Sequence, residues 1–200
     1  MSFVAGSNGY QENAAVLADQ YESITFEQVH RDVLHLFPTA SCNVLDIGAG
    51  SGRDAAALAK RGHRVTAAEP TDALRDHGQT IHGDVPIQWV NDALPDLAVI
   101  CESGEQFDLI LLTAVWMHLD ADERSQAMMR TASLLSPGGK VVMSLRHGPV
   151  PEGRRMFDIS AQETSELGQQ HGLIDVFYCA REDMLGREDV QWSFLCLQKP

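Results

Sequence analysis

Residues 43–70, NVLDIGAGSGRDAAALAKRGHRVTAAEP, constrain what this chain can become more than any other stretch. Val44, Leu45 and Ile47 make a short apolar run that stops at Gly48-Ala49-Gly50-Ser51-Gly52, and an alanine-rich helical pattern over 55–60 follows at once. Gly62 ends that helix, a second apolar run covers 64–68, and Glu69 stands at its end, about twenty residues beyond the first glycine. Strand, glycine turn, helix and strand in that order make a βαβ unit of the kind that holds a nucleoside.

The residue types say what such a loop can grip. Glycines let the backbone turn tightly and approach a ligand with no Cβ in the way, and the free N–H groups opening the helix favour an anionic end. Glu69 offers two acceptor oxygens, which suit the paired hydroxyls of a ribose. Two ligand classes fit, a dinucleotide and S-adenosylmethionine. The dinucleotide fingerprint G-x-G-x-x-G fails from Gly48, because Arg53 occupies its last position, and survives from Gly50 only in the weaker form ending at Ala55. Glycine spacing alone leaves both open.

Asp46-Ile47-Gly48-Ala49-Gly50-Ser51-Gly52, with Glu69 downstream, resembles the cofactor motif of the class I S-adenosylmethionine-dependent methyltransferases. The resemblance implies that Asp46, Gly48, Ala49, Gly50 and Gly52 form the loop under the methionine and ribose, and that Arg53 pairs with the methionine carboxylate. It further implies that Glu69, with Pro70 beside it, binds the ribose, and that Asp92 and Ala93 read the adenine. The competing reading of Asp92 is a cap on a helix beginning near Leu94.

Length and charge bound the rest. A chain of 200 residues that is 44% hydrophobic supports one good core, so a single domain over 1–200 is expected, with a helical cap over 1–40 and a sheet core over 41–200. No run of about eighteen apolar residues occurs and residues 1–10 lack a basic start and an apolar stretch, so no membrane span or leader is expected and the cytoplasm is the expected location. Cys42, Cys101, Cys179 and Cys196 are widely spaced and form no C-x-x-C pair, which argues for reduced thiols and against a metal site. A net charge of -13 disfavours nucleic acid as a partner.

Before the loop, apolar residues from Asn13 to Tyr21 and from Phe26 to Phe37 recur at helical spacing, with Thr25 as a cap of the second helix. By the resemblance such helices also close over the pocket, which makes Tyr10, Tyr21 and His30 candidates to line it. After it come a helix over 71–81, a strand over 87–90 and a near-continuous apolar run over 107–112, the signature of a central strand buried on both faces. That strand leads to Ala114, Trp116 and His118, which the resemblance brings to the methionine end of the cofactor. Trp116 is expected to cover adenine or sulfonium and His118 to act as general base.

A helix over 122–136 stopped by Pro137-Gly138-Gly139 precedes a strand over 140–145. The loop after it, 146–155, holds the densest positive charge in the chain, and Arg146, His147 and Arg155 are candidates for gripping an anionic acceptor. Ser160 and Glu163 open a last helix, and the strands over 174–178 and 190–195 follow with no helix between them, so they must pair antiparallel. The expected architecture is therefore α/β, a three-layer Rossmann-like methyltransferase fold with a seven-stranded mixed sheet in the order 3-2-1-4-5-7-6, strand 7 antiparallel.

The function this implies is transfer of the methyl group of S-adenosyl-L-methionine to an O, N or S atom of a small metabolite, one with an anionic group being favoured, by a monomer or homodimer. The alternatives are a methyltransferase acting on protein or transfer RNA, an NAD-dependent oxidoreductase, and a protein that binds the cofactor without catalysis.

Overall fold

The computed structural model describes residues 9–200, so the reading of 1–8 lies outside the described residues. Seven strands, β1 (Asn43–Ile47), β2 (Arg64–Ala68), β3 (Ile87–Val90), β4 (Phe107–Thr113), β5 (Leu135–His147), β6 (Ile174–Glu182) and β7 (Gln191–Gln198), form one sheet in the order β3-β2-β1-β4-β5-β7-β6. The first five pair parallel with one another. β7 runs antiparallel to both β5 and β6, as two strands joined without a crossover helix require. Among the described residues seven α-helices accompany the sheet: α1 (Ala14–Glu22), α2 (Phe26–His30), α3 (Arg53–Lys60), α4 (Asp72–Ile81), α5 (Ala98–Ser103), α6 (Ala121–Leu134) and α7 (Ala161–Gln170).

Side-chain alternation along β4 divides the core. Leu109 and Leu111 point into a cluster with Val44, Leu58, Val142 and the N-terminal Phe26 and Phe37, while Ile110 and Leu112 point the other way, to Leu45, Ile47, Leu97 and Met143. Leu109, Ile110, Leu111 and Leu112 are all fully buried, each worth about 2 kcal/mol of transfer out of water. The central strands are held from both faces, so the loops at their C-terminal ends sit on a stiff base.

The second apolar stripe is not one helix. α2 ends at His30, whose side chain turns inward to hydrogen-bond Asp54, and a 3-10 turn at Leu34–Leu36 completes the stretch. Thr25 caps α2 in both directions, its hydroxyl accepting from the Gln28 N–H at 3.2 Å and its own N–H donating to Gln28 Oε1 at 2.9 Å.

Other boundaries move as well. α6 is capped by Asp120, whose carboxylate accepts from the Glu123 N–H, so it begins and ends slightly before the expected range. It stops at Leu134, and Pro137-Gly138-Gly139 belongs to the opening of β5, where Gly138 takes a φ of 79° and donates to the Lys199 carbonyl. At α7 Ser160 caps as expected, but Glu163 turns to Arg124 at 2.9 Å rather than closing the box. The expected helix near Leu94 begins only at Ala98.

Candidate active site

β1 delivers Asp46 and Ile47 to the glycine loop at the centre of the sheet edge. Gly48, Gly50 and Gly52 all carry positive φ, 69°, 58° and 85°, which residues with a Cβ adopt only at a cost. The three serve different ends. A Cβ on Gly48 would lie 2.6 Å from a Val115 methyl, and one on Gly50 would lie 3.2 Å from the Tyr21 ring, so both keep the space over the loop open. Gly52 does not line the cavity; a Cβ there would meet the Trp89 indole at 2.7 Å, and its glycine is needed for packing.

Glu69 holds this loop from below. One oxygen accepts from the Gly50 N–H at 2.9 Å and the other from the Thr71 N–H at 2.8 Å, on a side chain only 5% exposed. Burial raises its carboxyl above the usual range, and those two N–H groups oppose the shift. Thr71 donates its backbone N–H to Glu69, and its hydroxyl makes no cap bond to α4.

Asp46 is 2% exposed, lines the cavity, and its Oδ2 has no partner among the described residues. Burial and the neighbouring Asp54 push its carboxyl well above the ordinary value, while the Arg53 charge and the Ala55 N–H of α3 pull the other way. A buried carboxyl oxygen left without a donor is costly unless a ligand supplies one. Ala114, at the end of β4, lines the same space with a φ of 60° and donates its N–H to Ser144 Oγ at 2.9 Å.

Asp54, on the first turn of α3, went unread in the sequence, although the adjoining Arg53-Asp54 pair at a helix start was a usable signal. It accepts from Arg53 Nε at 2.7 Å, from His30 Nε2 at 2.8 Å and from Thr113 Oγ1 at 2.9 Å. Burial raises its carboxyl, but His30 and Arg53 beside it outweigh that and hold it far below the usual range. Arg53 is thereby fixed at the cavity wall, with a further bond to the Tyr21 carbonyl at 3.2 Å.

The cavity built on this loop has a volume of about 1320 Å³ and reaches from Asp92 and Ala93, past Pro70, to the end of β5. Asp92 spends its oxygens on the Ala93 and Ile100 N–H groups, both at 2.9 Å, which leaves only second lone pairs for a ligand; it is not the N-cap of a helix near Leu94, since α5 starts at Ala98 with Leu97 before it. Tyr10 and Tyr21 line the cavity. His30 does not; it lies beneath, among Phe26, Phe37 and Phe194.

Three expected positions are corrected. Trp116 is fully buried in the core cluster beneath the site, so it covers no ligand, because the 3-10 turn Trp116–His118 points it inward and His118 outward. His147 lies outside the cavity, its ring bonded to the Ile159 carbonyl and to Ser193 Oγ. Arg155 lines the cavity but is occupied by Asp120 at 3.0 Å and Glu123 at 2.8 Å. Arg154, passed over in the sequence, lies 4.1 Å above the Tyr10 ring instead.

His118 is 9% exposed and faces this end of the cavity. Its Nδ1 sits 2.8 Å from the Arg155 carbonyl, which can only accept, so Nδ1 carries the proton and Nε2 the lone pair. The Tyr10 hydroxyl stands 3.2 Å from Nε2. Burial lowers the imidazole below its ordinary value, the Arg155 carbonyl opposes this, and the charges of Arg154, Arg155 and Arg146 lower it further.

Comparison with known proteins agrees with this geometry. A family model described as a methyltransferase domain matches residues 44–139. The ubiquinone biosynthesis O-methyltransferase of Coxiella burnetii is 29% identical over 102 residues, covering 51% of this chain and 42% of that protein. An uncharacterized methyltransferase of Mycobacterium tuberculosis is 31% identical over 128 residues, 60% of this chain and 62% of that protein. The chain thus spans about half the length of the relatives it matches. Among solved structures, the 1,6-didemethyltoxoflavin-N1-methyltransferase of Burkholderia thailandensis, with S-adenosylhomocysteine bound, is similar with a TM-score of 0.70 and 23% identity, covering 100% of this chain and 92% of that one. The sheet order with its reversed β7, the glycine loop after β1 and the acid ending β2 accompany these matches: the chain is similar to methyltransferases over residues 44–139 and shares the fold of the solved ones.

Proposed function

We infer that the protein transfers a methyl group from S-adenosylmethionine to an O, N or S atom of a small metabolite. The observation that carries this reading is Asp46, a buried carboxyl with one oxygen unpartnered among the described residues, at a cavity floored by glycines. An ammonium donor, such as the methionine end of the cofactor carries, satisfies that oxygen and lowers the cost of its burial. Arg53, anchored on Asp54, suits the carboxylate of the same end, and the second lone pairs of Glu69 suit the ribose hydroxyls. When bound, the cofactor supplies an electrophilic methyl group on a sulfonium.

The chain's own part is alignment, exclusion of water and disposal of a proton. Tyr10, Leu17 and Tyr21 of the N-terminal segment roof the cavity, and Val115, Met117 and Leu119 wall it with apolar surface. His118 takes the proton of the attacking group at Nε2, the nitrogen that the Arg155 carbonyl leaves bare. The test is calorimetry with S-adenosylhomocysteine and with NAD, followed by labelled methyl transfer into a metabolite extract. Binding of S-adenosylhomocysteine at about micromolar strength, none of NAD, and label in a small molecule are expected; tight NAD binding would overturn the reading.

A further inference from the structure

We propose that the acceptor half of the cavity holds an anionic group, a carboxylate or a phosphate, on Arg146 and Arg154, and so selects acceptors that carry one. This rests on the methyl-transfer reading and names the substrate class of that same site. The chain as a whole carries a net charge of -13, yet Arg146, Arg154, Arg155, Arg181 and Arg187 all line this end of the cavity.

Their partners sort them into two groups. Arg155 is neutralised by Asp120 and Glu123, Arg181 by Asp32 at 3.2 Å, and Arg187 by Asp183 at 2.6 Å. Arg146 and Arg154 have no carboxylate partner among the described residues. Arg146, only 9% exposed, donates Nη1 to the carbonyls of Gly148 and Pro149, at 3.5 and 3.0 Å, and its remaining nitrogens make no protein hydrogen bond among the described residues. Arg154 stacks on Tyr10, and its Nη1 is buried with no partner among the described residues.

A guanidinium withdrawn from water without an opposite charge is unfavourable, and its forked donors match the paired oxygens of a carboxylate or phosphate. Arg154 lies 4.1 Å from the centre of the Tyr10 ring and His118 Nε2 lies 3.2 Å from its hydroxyl. Tyr10 thus touches both the proposed anion site and the proposed base, and an acceptor bound there meets all three side chains.

The test uses the full chain saturated with S-adenosylhomocysteine, titrated by calorimetry with benzoate, phenyl phosphate and neutral benzamide. One of the two anions should bind at least about tenfold more tightly than benzamide, and the stronger anion identifies the chemistry. Replacing both arginines, Arg146→Gln with Arg154→Gln, should weaken that anion by about tenfold or more, while S-adenosylhomocysteine affinity changes less than about threefold. If the double variant does not bind S-adenosylhomocysteine, Arg154→Gln alone, which breaks no ion pair, makes the comparison. Equal binding of benzamide and both anions, or an anion affinity indifferent to the substitutions, overturns the proposal. Failure of the unaltered protein to take up S-adenosylhomocysteine overturns instead the methyl-transfer reading beneath it.

Discussion

The Tyr10 hydroxyl lies 3.2 Å from Nε2 of His118, while Nδ1 of the same ring is held by the Arg155 carbonyl at 2.8 Å. The carbonyl sets the tautomer, so Tyr10 is the donor and His118 the acceptor. An incoming nucleophile that gives its proton to Nε2 must displace a phenol from it. His118→Gln removes the proton acceptor and should lower kcat by about a hundredfold or more, with S-adenosylhomocysteine affinity unchanged. Tyr10→Phe takes away only the competing hydroxyl, and kcat should stay within about threefold. Steady-state kinetics on both variants, with calorimetry alongside, check this; an unimpaired His118→Gln enzyme would leave alignment as the whole of catalysis.

The same ring predicts a pH profile. Burial, assisted by Arg154, Arg155 and Arg146, lowers His118 from its ordinary 6.5, so the Nε2 lone pair persists below that pH. The acid limb of kcat should lie below pH 6.5, and Arg154→Gln should move it upward by removing one of the depressing charges. The sign for stability is the same. With the folded value below the unfolded one, the unfolded chain binds the proton more readily, so the contribution is complete above 6.5 and fades as pH falls through the folded value. Profiles of kcat for the two proteins decide it; superimposable acid limbs would remove Arg154 from the account.

Asp46 is costly to the empty protein, and the proposed ammonium contact would offset that cost in the loaded one. Its folded carboxyl value lies above the ordinary 3.8, so the folded state binds the proton more strongly, and stability falls as pH rises from there through the folded value. Asp46→Asn removes the ionisable group. The ligand-free variant should be more stable at pH 7 by about 1 kcal/mol, or roughly 2–4 °C in Tm. It should bind S-adenosylhomocysteine about tenfold more weakly or worse. Calorimetric melts and titrations test the two halves separately, and a variant that binds as well as the parent would remove Asp46 from the ammonium site.

What the sequence disclosed and what it withheld follow from the range of the interactions. The loop from Asp46 to Gly52 and Glu69 at the end of β2 are written into adjoining segments, with the Glu69 contact to Gly50 spanning 19 residues. The near-continuous apolar run of β4 likewise needs no distant partner to be read. The direction in which Trp116 and His118 point depends on a 3-10 turn packed against β5, and nothing local distinguishes the two. Arg155 and Arg154 are neighbours in a loop, and only the far carboxylates of Asp120 and Glu123 decide which of them is neutralised. His30 and Asp54 meet across 24 residues and a layer of the fold.

Asp54 converts that contact into a prediction about the cofactor. Its carboxylate holds Arg53 Nε at 2.7 Å and is itself braced by His30 and Thr113. Asp54→Asn keeps the size of the side chain but weakens the charge-assisted bond to Arg53, leaving the guanidinium free to swing. S-adenosylhomocysteine affinity should fall by about tenfold, whereas adenosine, which lacks the amino-acid end, should bind as before. Equal losses for both ligands would mean general damage to the loop rather than a loosened Arg53.

Gly78, inside α4, offers a case where two effects of opposite sign compete. Glycine to alanine in a helix interior ordinarily stabilises by about 0.5–1 kcal/mol through backbone entropy. Here a Cβ would drive into the Trp89 indole and come 2.8 Å from the Ser51 carbonyl, which belongs to the glycine loop and has no freedom to retreat. Overpacking of this kind costs about 1–3 kcal/mol, so steric strain wins and Gly78→Ala should destabilise the protein. Because the displaced carbonyl sits beside Gly50 and Gly52, the variant should also lose cofactor affinity, unlike a destabilising change elsewhere on α4. Urea unfolding together with S-adenosylhomocysteine titration measures both; a variant more stable than the parent would show that Trp89 can move aside.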